Sequence, residues 1–512
     1  MLRVRQDTGR ELELIEASDG WKGSCEMLRR VLVSVLGVAL RVFFRRIEVE
    51  GRERVPRAGA CVFVLNHPNA LVDPVFILCH APRRVSFLAK EPLFQLPVIG
   101  SLARALDAIP VYRKQDEGAD TARNRETFRA ARALLGRGGS IAVCPEGASH
   151  SDTKLRPLKT GAARIALGVA AQDRSVDLYI VPAGLYYTAK TLFRSAALLH
   201  FGEPLKVEAV ALDADSEPPH EAVRALSSQI ENALRNVTLN AEHEHALTTI
   251  ERAERIFSSE VSARERVSQT LSQQLELRRR FLAGYAFHFE RDAPRLAALD
   301  ARLTRYEETL RLAGLDAEDL SAPRVAPRAL LRHIVVRVLP VLCLSPFAAI
   351  GIVAHYPAYK LAGALSTRLA RRSDDMVSTI KIVAAMLLFP LTWLALAALC
   401  GRLEGWMGVA VALVVVPTCG WLAVRFSEEL DGFVGGARAL RFYFTRRWFF
   451  KELLTERRRL RAEIESLGAE VPRDKADSHD DTHDGETSAL PSTDLLLSAD
   501  AIVPTEPTRH TI

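Results

Sequence analysis

No two of the seven cysteines stand in a CxxC pair, and several lie inside apolar runs. That spacing supports neither a zinc site nor a disulfide framework, and it leaves small buried thiols in a reducing compartment. No GxSxG sequence falls near an expected strand end, so a lipid hydrolase built on a serine nucleophile has no support. Nor is a cleavable signal peptide expected. The first apolar segment begins near Val31, is interrupted by Arg41 and ends in FFRR without small residues for cleavage, so it is expected to stay in the mature protein. A large excess of one charge is also lacking: 68 Lys and Arg stand against 62 Asp and Glu, a net +6 over 512 residues. The arginines flank apolar stretches, as in RRVLVSVLGVALRVFFRR and RFYFTRRWFFKELLTERRR. Cations beside an apolar segment suit an anionic membrane surface, and no nucleic-acid partner is expected.

What is present divides by composition. Apolar residues concentrate between about Ile334 and Val424, whereas charges crowd the stretch from about Glu217 to Glu318 and the C-terminal end, the pattern of a chain that is partly soluble and partly membrane-bound. Residues 1–46 are expected to form an interfacial helix region, with Val31 to Phe44 lying in the membrane surface; a core helix is the alternative. Residues 47–215 alternate strand-like runs (ACVFVLNH, RVSFLA, GSIAVCPEG, LYIVPAGLYY) with helical ones such as NRETFRAARALLGRG, which predicts an α/β domain with its site at the strand ends. Residues 216–330, rich in Ala, Leu, Glu and Arg, predict a helical arm, of helical hairpins or coiled-coil-like, with a solvated helical linker as the alternative.

Residues 331–428 hold three apolar segments, Val338 to Ala354, Ile382 to Cys400 and Gly405 to Val424. The basic loop with Arg368, Arg371 and Arg372, weighed by the positive-inside rule, predicts that the first segment, broken by Pro340, Pro346 and Pro357, enters and returns. The other two are expected to form a hairpin around GRLEG. Residues 429–467 predict a basic amphipathic helix along the membrane surface, and residues 468–512, rich in Asp, Ser, Thr and Pro, a disordered tail.

The stretch NHPNALVDP follows the apolar run CVFVL and sets His67 at a strand exit and Asp73 in the first turns of the next helix. A carboxylate that holds one ring nitrogen of a histidine fixes its tautomer and favours the imidazolium that forms when the other nitrogen takes a proton. The spacing therefore serves an acid/base pair, although a surface histidine near a helix start gives the same pattern. Downstream, CPEGASH places Glu146 and Gly147 after the strand GSIAV, where they meet a polar ligand or form an ordinary Pro-Glu-Gly turn. DAIPVYRK ends in Arg113, whose guanidinium suits a phosphate. LRPLKTGAARIAL puts Lys159 and Gly161 at a helix start that favours an anion, and IVPAGLYY is an apolar strand entering a loop.

In order and spacing, NHPNALVDP, DAIPVYR, CPEGASHSDTKLRPLKTGAARIAL and IVPAGLYY resemble the four motif blocks of the phospholipid/glycerol acyltransferase family, over about Ile47 to Leu205. The resemblance implies a mixed central sheet flanked by helices. It implies acyl transfer from acyl-CoA or acyl carrier protein to a glycerolipid hydroxyl, with no metal, no other cofactor and no covalent acyl-enzyme. His67 matches the family's histidine that removes the hydroxyl proton, and Asp73 the aspartate that orients it. Arg113, Glu146 and Gly147 match residues associated with the acceptor phosphate.

Two departures stand out. Five residues separate His67 from Asp73 where most members have four, and Ser149 stands where the third block usually has arginine, leaving Arg113, Arg156 and Lys159 as cations for the phosphate. Both are similar to the branch that includes the fungal glycerol-3-phosphate/dihydroxyacetone-phosphate acyltransferases, which also carries C-terminal membrane segments. The expected protein is an integral membrane O-acyltransferase, its catalytic domain on the cytoplasmic face, acting on glycerol 3-phosphate or lysophosphatidate. Dihydroxyacetone phosphate or another lysophospholipid is the alternative acceptor. A non-catalytic membrane scaffold is the alternative class, against which the intact His67, Asp73, Glu146 and Gly147 count.

Overall fold

The computed structural model describes residues 19–112, 123–215, 217–241, 244–258, 269–315, 339–370 and 374–472. Its centre is a sheet whose described strands are β1 (Arg46–Glu50), β2 (Ala60–Leu65), β3 (Ser86–Lys90), β4 (Ile109–Val111), β5 (Ser140–Val143), β6 (Leu178–Tyr187), β7 (Ala196–Phe201) and β8 (Leu205–Lys206). The order is β1-β7-β6-β2-β5-β3-β4, with β8 on β6. β6 pairs antiparallel with β7 and β8, and the other neighbours are parallel, so the sheet is mixed, as the resemblance implies.

Strand β2 shows why the domain has three layers. All six of its residues are buried, the mark of a parallel strand covered on both faces. Ala60, Val62 and Val64 join the core beneath α5 (Asn124–Leu135), α6 (Gly161–Gln172) and α7 (His220–Val237). Cys61, Phe63 and Leu65 face α1 (Asp19–Phe43) and α2 (Val72–His80) on the other side. Each large side chain buried this way contributes roughly 1.5–3 kcal/mol.

The helices depart from the sequence-based expectations in ways their apolar faces explain. Helix α1 is in part a core helix: Leu40 and Phe43, with Phe44 just beyond, are buried against the sheet. Its other face exposes Met27, Val31, Val35, Val38 and Val42, one stripe at helical spacing. Helix α7, assigned by sequence to the arm, instead covers the sheet through Val223, Leu226, Ile230, Leu234 and Val237. The rest of the arm, α8 (Glu244–Ser258), α9 (Leu271–Arg291) and α10 (Ala293–Ala313), is neither a solvated linker nor an isolated coiled coil.

Further along the chain lie α11 (Leu339–Leu369), α12 (Asp374–Thr445) and α13 (Arg447–Ala469). Ala253 and Ile256 of α8 and Leu299, Leu303 and Tyr306 of α10 share a core with Phe450, Leu453, Leu460, Ile464 and Leu467 of α13. Of the stretch expected as a basic amphipathic helix, the part that forms α13 thus spends its apolar face on the arm and not on a membrane surface. Beyond residue 472 the expected tail lies outside the described residues.

Helix α11 and the Asp374–Leu430 part of α12 are long and apolar enough to cross a membrane. They expose large side chains, among them Phe347, Ile350, Leu387, Leu391, Trp406, Val414 and Trp421. Outward apolar residues on so many sides need a bilayer or a partner surface. Between residues 339 and 369 the chain does not return: α11 is one continuous helix with Pro346 and Pro357 inside it. An interior proline forfeits a hydrogen bond and bends a helix without reversing it. Helix α12, by contrast, breaks at Gly405, whose φ of 65° and ψ of −156° lie outside helical geometry, so the turn falls within GRLEG. The Trp393 indole donates to His355 Nε2 at 2.8 Å and ties α12 to α11.

Candidate active site

The order β6-β2-β5 brings the carboxyl ends of three parallel strands side by side, and a crevice at such ends is where open α/β sheets hold their ligands. β2 delivers the His67 turn, β5 the Cys144–His150 loop and β6 Tyr187. Asn66 stitches the first of these to the third: its side-chain amide donates to the Leu185 carbonyl at 3.0 Å and accepts the Leu185 N–H at 2.7 Å.

His67 and Asp73 meet. The ring Nδ1 lies 2.9 Å from Asp73 Oδ2. The same oxygen accepts the backbone N–H of Asn69 at 2.7 Å, and the Tyr187 hydroxyl donates to Oδ1 at 2.7 Å. Asp73 is therefore ringed by donors, which assigns the proton on His67 to Nδ1 and leaves Nε2 as the basic nitrogen. The Asp73 side chain is 0% exposed while that of His67 is 17% exposed, so a ligand can reach the ring but not the carboxylate behind it.

Burial disfavours the imidazolium, but Cys144 and the hydrogen bond to Asp73 outweigh it and hold His67 well above the ordinary imidazole value. Burial also pushes the Cys144 thiol up, so the hydrogen bond to Asp73 is the contact that holds the His67 imidazolium. Burial, then the Asp73 carboxylate, push the Tyr187 phenol well above its usual value, and it remains a donor.

Glu146 occupies the opposite wall. Its Oε1 accepts the His67 backbone N–H at 3.0 Å, and its Oε2 accepts the Arg156 N–H at 2.9 Å and contacts His150 Nε2. Only 5% of Glu146 is exposed. Its carboxylate locks the histidine turn to the loop after β5, and a phosphate would be repelled by it. Gly147 adopts φ 77°, and a Cβ there would strike the Lys159 side chain, which lies over this glycine. Ser149 donates to Asp375 Oδ2 at the start of α12, so it faces the apolar helices. Arg113 lies outside the described residues.

Sequence reasoning did not single out Tyr187, Asn66, His150 or Cys144 as site residues. The Tyr-Tyr pair ending β6 carries the one available signal, because neighbouring residues of a strand face opposite ways. Tyr186 packs with Leu271 and Leu275 of the arm, and Tyr187 turns to Asp73.

A family model described as acyltransferase matches residues 46–186, and one described as glycerol-3-phosphate acyltransferase 2 C-terminal domain matches residues 262–471. Glycerol-3-phosphate O-acyltransferase 1 of Saccharomyces cerevisiae is 27% identical over 500 residues, covering 78% of this chain and 65% of that protein. Glycerol-3-phosphate O-acyltransferase 2 of the same yeast is 29% identical over 283 residues, 53% of this chain and 37% of that protein. The chloroplastic 1-acyl-sn-glycerol-3-phosphate acyltransferase BAT2 of Brassica napus is 26% identical over 162 residues, 31% of this chain and 43% of that protein. The chain thus spans less than two thirds of the length of these curated relatives. The first matched segment carries the His67–Asp73 pair and the second the helices α9 to α13, so the chain holds an acyltransferase domain followed by a domain like the C-terminal one of glycerol-3-phosphate acyltransferase 2.

Proposed function

We propose that this chain is a membrane-bound O-acyltransferase that moves a fatty acyl group from a thioester donor, acyl-CoA or acyl carrier protein, to a hydroxyl of glycerol 3-phosphate. The carrying observation is the His67–Asp73 pair at 2.9 Å, braced by Tyr187 at the end of β6. The yeast relatives support glycerol 3-phosphate as acceptor, and the plant relative keeps lysophosphatidate as the second reading.

In this mechanism His67 Nε2 takes the acceptor's hydroxyl proton as the oxygen attacks the thioester carbonyl. The Nδ1–H bond to Asp73 stabilises the imidazolium that forms. A C–O bond forms, the C–S bond breaks, and the proton passes from His67 to the departing thiolate. A positioned base contributes on the order of 10² to 10⁴-fold in rate. Glu146 keeps the His67 turn in register with the loop after β5.

The apolar helices α11 and α12, long enough to cross a membrane, support a bilayer as the setting for this chemistry, where the lipid product belongs. Contacts between α12 and the loop after β6, Lys381 Nζ to the Thr191 carbonyl at 2.8 Å and Glu428 to Arg194 at 2.6 Å, bring the ends of the apolar hairpin to the catalytic domain. Arg425 lies at that end, which supports a cytoplasmic catalytic face.

The test is acyl transfer by the purified, detergent-solubilised full chain, with labelled acyl-CoA and acyl carrier protein offered against glycerol 3-phosphate, dihydroxyacetone phosphate and lysophosphatidate, and His67→Ala as control. Labelled lipid from glycerol 3-phosphate, lost in the variant, is the expected result. Folded protein that makes no lipid from any combination would overturn the proposal.

A further inference from the structure

Ser149 stands where the resemblance has an arginine, so the acceptor's phosphate needs a cation from elsewhere, and Arg113 lies outside the described residues. Lys159 lies over Gly147, and Arg156 is turned outward onto Asp152 at 2.6 Å. Lys190 is differently placed. It sits three residues past Tyr187 on the loop that leaves β6, half-buried, and its Nζ donates to the Pro68 carbonyl at 3.3 Å and to the Ser151 hydroxyl at 2.5 Å.

Pro68 directly follows His67, and Ser151 directly follows His150 of the loop after β5. The ammonium therefore bridges the turn that follows His67 and the loop after β5. Both of its acceptors are neutral, and among the described residues it forms no ion pair. Asp375, Asp374, Asp73 and Asp152 act on it electrostatically, while burial disfavours its charge. Such an ammonium gains when a neutral oxygen is exchanged for an anionic one, because charge-assisted hydrogen bonds are about twice as strong as neutral ones. Its position is built and not incidental: the Ser378 hydroxyl donates to the Lys190 carbonyl, and Lys381 holds the next residue, so α12 sets the loop.

We propose that Lys190 binds the phosphate of the acceptor next to His67 and so selects phosphorylated acceptors. The proposal rests on the acyltransferase reading and adds to it a residue from the loop after the fourth motif block. Phosphate held there leaves the acceptor's hydroxyl to reach His67 Nε2, and the same contact gives glycerol no advantage.

The experiment uses the full detergent-solubilised chain as wild type, Lys190→Ala and Lys190→Arg, with melting curves to confirm folding. KM and kcat are measured for glycerol 3-phosphate, and slow turnover of glycerol serves as the phosphate-free control. Lys190→Ala is expected to raise KM for glycerol 3-phosphate about ten- to a hundredfold, the scale of one hydrogen bond to a charged group. kcat should stay within a few-fold, glycerol turnover should be unchanged, and Lys190→Arg should recover most of the loss. An unchanged KM, or equal losses with glycerol and glycerol 3-phosphate, would overturn the assignment. Calorimetric binding of glycerol 3-phosphate and of inorganic phosphate separates the two readings. If wild type transfers no acyl group, the acyltransferase reading fails, while weaker binding by Lys190→Ala still supports the anion site and equal binding removes it.

Discussion

Two buried carboxylates flank the same histidine and are used differently. On the wall formed by α2, Asp73 meets the imidazole itself and collects a backbone N–H and a phenol besides. On the wall after β5, Glu146 meets only the backbone of His67 and spends its second oxygen on Arg156 and His150. The first arrangement sets the charge and tautomer of a ring that a ligand can reach. The second fixes where that ring stands. A carboxylate close to a catalytic histidine is thus no evidence of acid/base work until the group it binds is known.

Substitutions that keep shape and remove charge separate the two walls. Asp73→Asn should cost the most activity, about 10²-fold or more in kcat, because the imidazolium loses its counter-charge as a positioned base fails. Glu146→Gln puts an amide donor against a cluster of donors, at about 1–3 kcal/mol for a buried polar group left unsatisfied. It should lower the melting temperature and reduce kcat about tenfold while leaving the pH dependence where it was; a shifted pH profile would erase the contrast with Asp73. Tyr187→Phe removes one donor from Asp73 and should have the smallest effect, about 1 kcal/mol or a few-fold in kcat. A loss as large as that of Asp73→Asn would mean that the phenol acts on the substrate directly.

Much of the α/β region was legible because its strands are short apolar runs that end in polar turns. ACVFVL, which became β2, is buried on both faces, and His67 follows where the run stops. The pairing of His67 with Asp73 was legible too, since six residues across a strand-to-helix turn bring the two side chains together. Tyr187 was not, because its partner lies 114 positions earlier in the chain and only the sheet order joins them.

The helices taught a different lesson. The periodicity of α7 and α13 showed that each has an apolar face without showing what covers it: the sheet for α7, the arm for α13. Prolines in the first apolar segment suggested a return, but a proline bends a helix that neighbouring helices still support, and α11 runs on to Leu369. GRLEG was the better turn signal because Gly405 takes a positive φ that other residues resist.

The central claim, that Asp73 tunes His67 as the base, is tested most directly by the pH dependence of kcat/KM in wild type and Asp73→Asn. A base works only when unprotonated, and His67 is held well above the ordinary imidazole value, so wild-type activity should rise with pH through an apparent pKa above that value. Removing the Asp73 charge should move this limb to lower pH while the plateau falls. An acid limb at the same pH in both proteins would contradict the account, because His67 would then titrate without reference to Asp73.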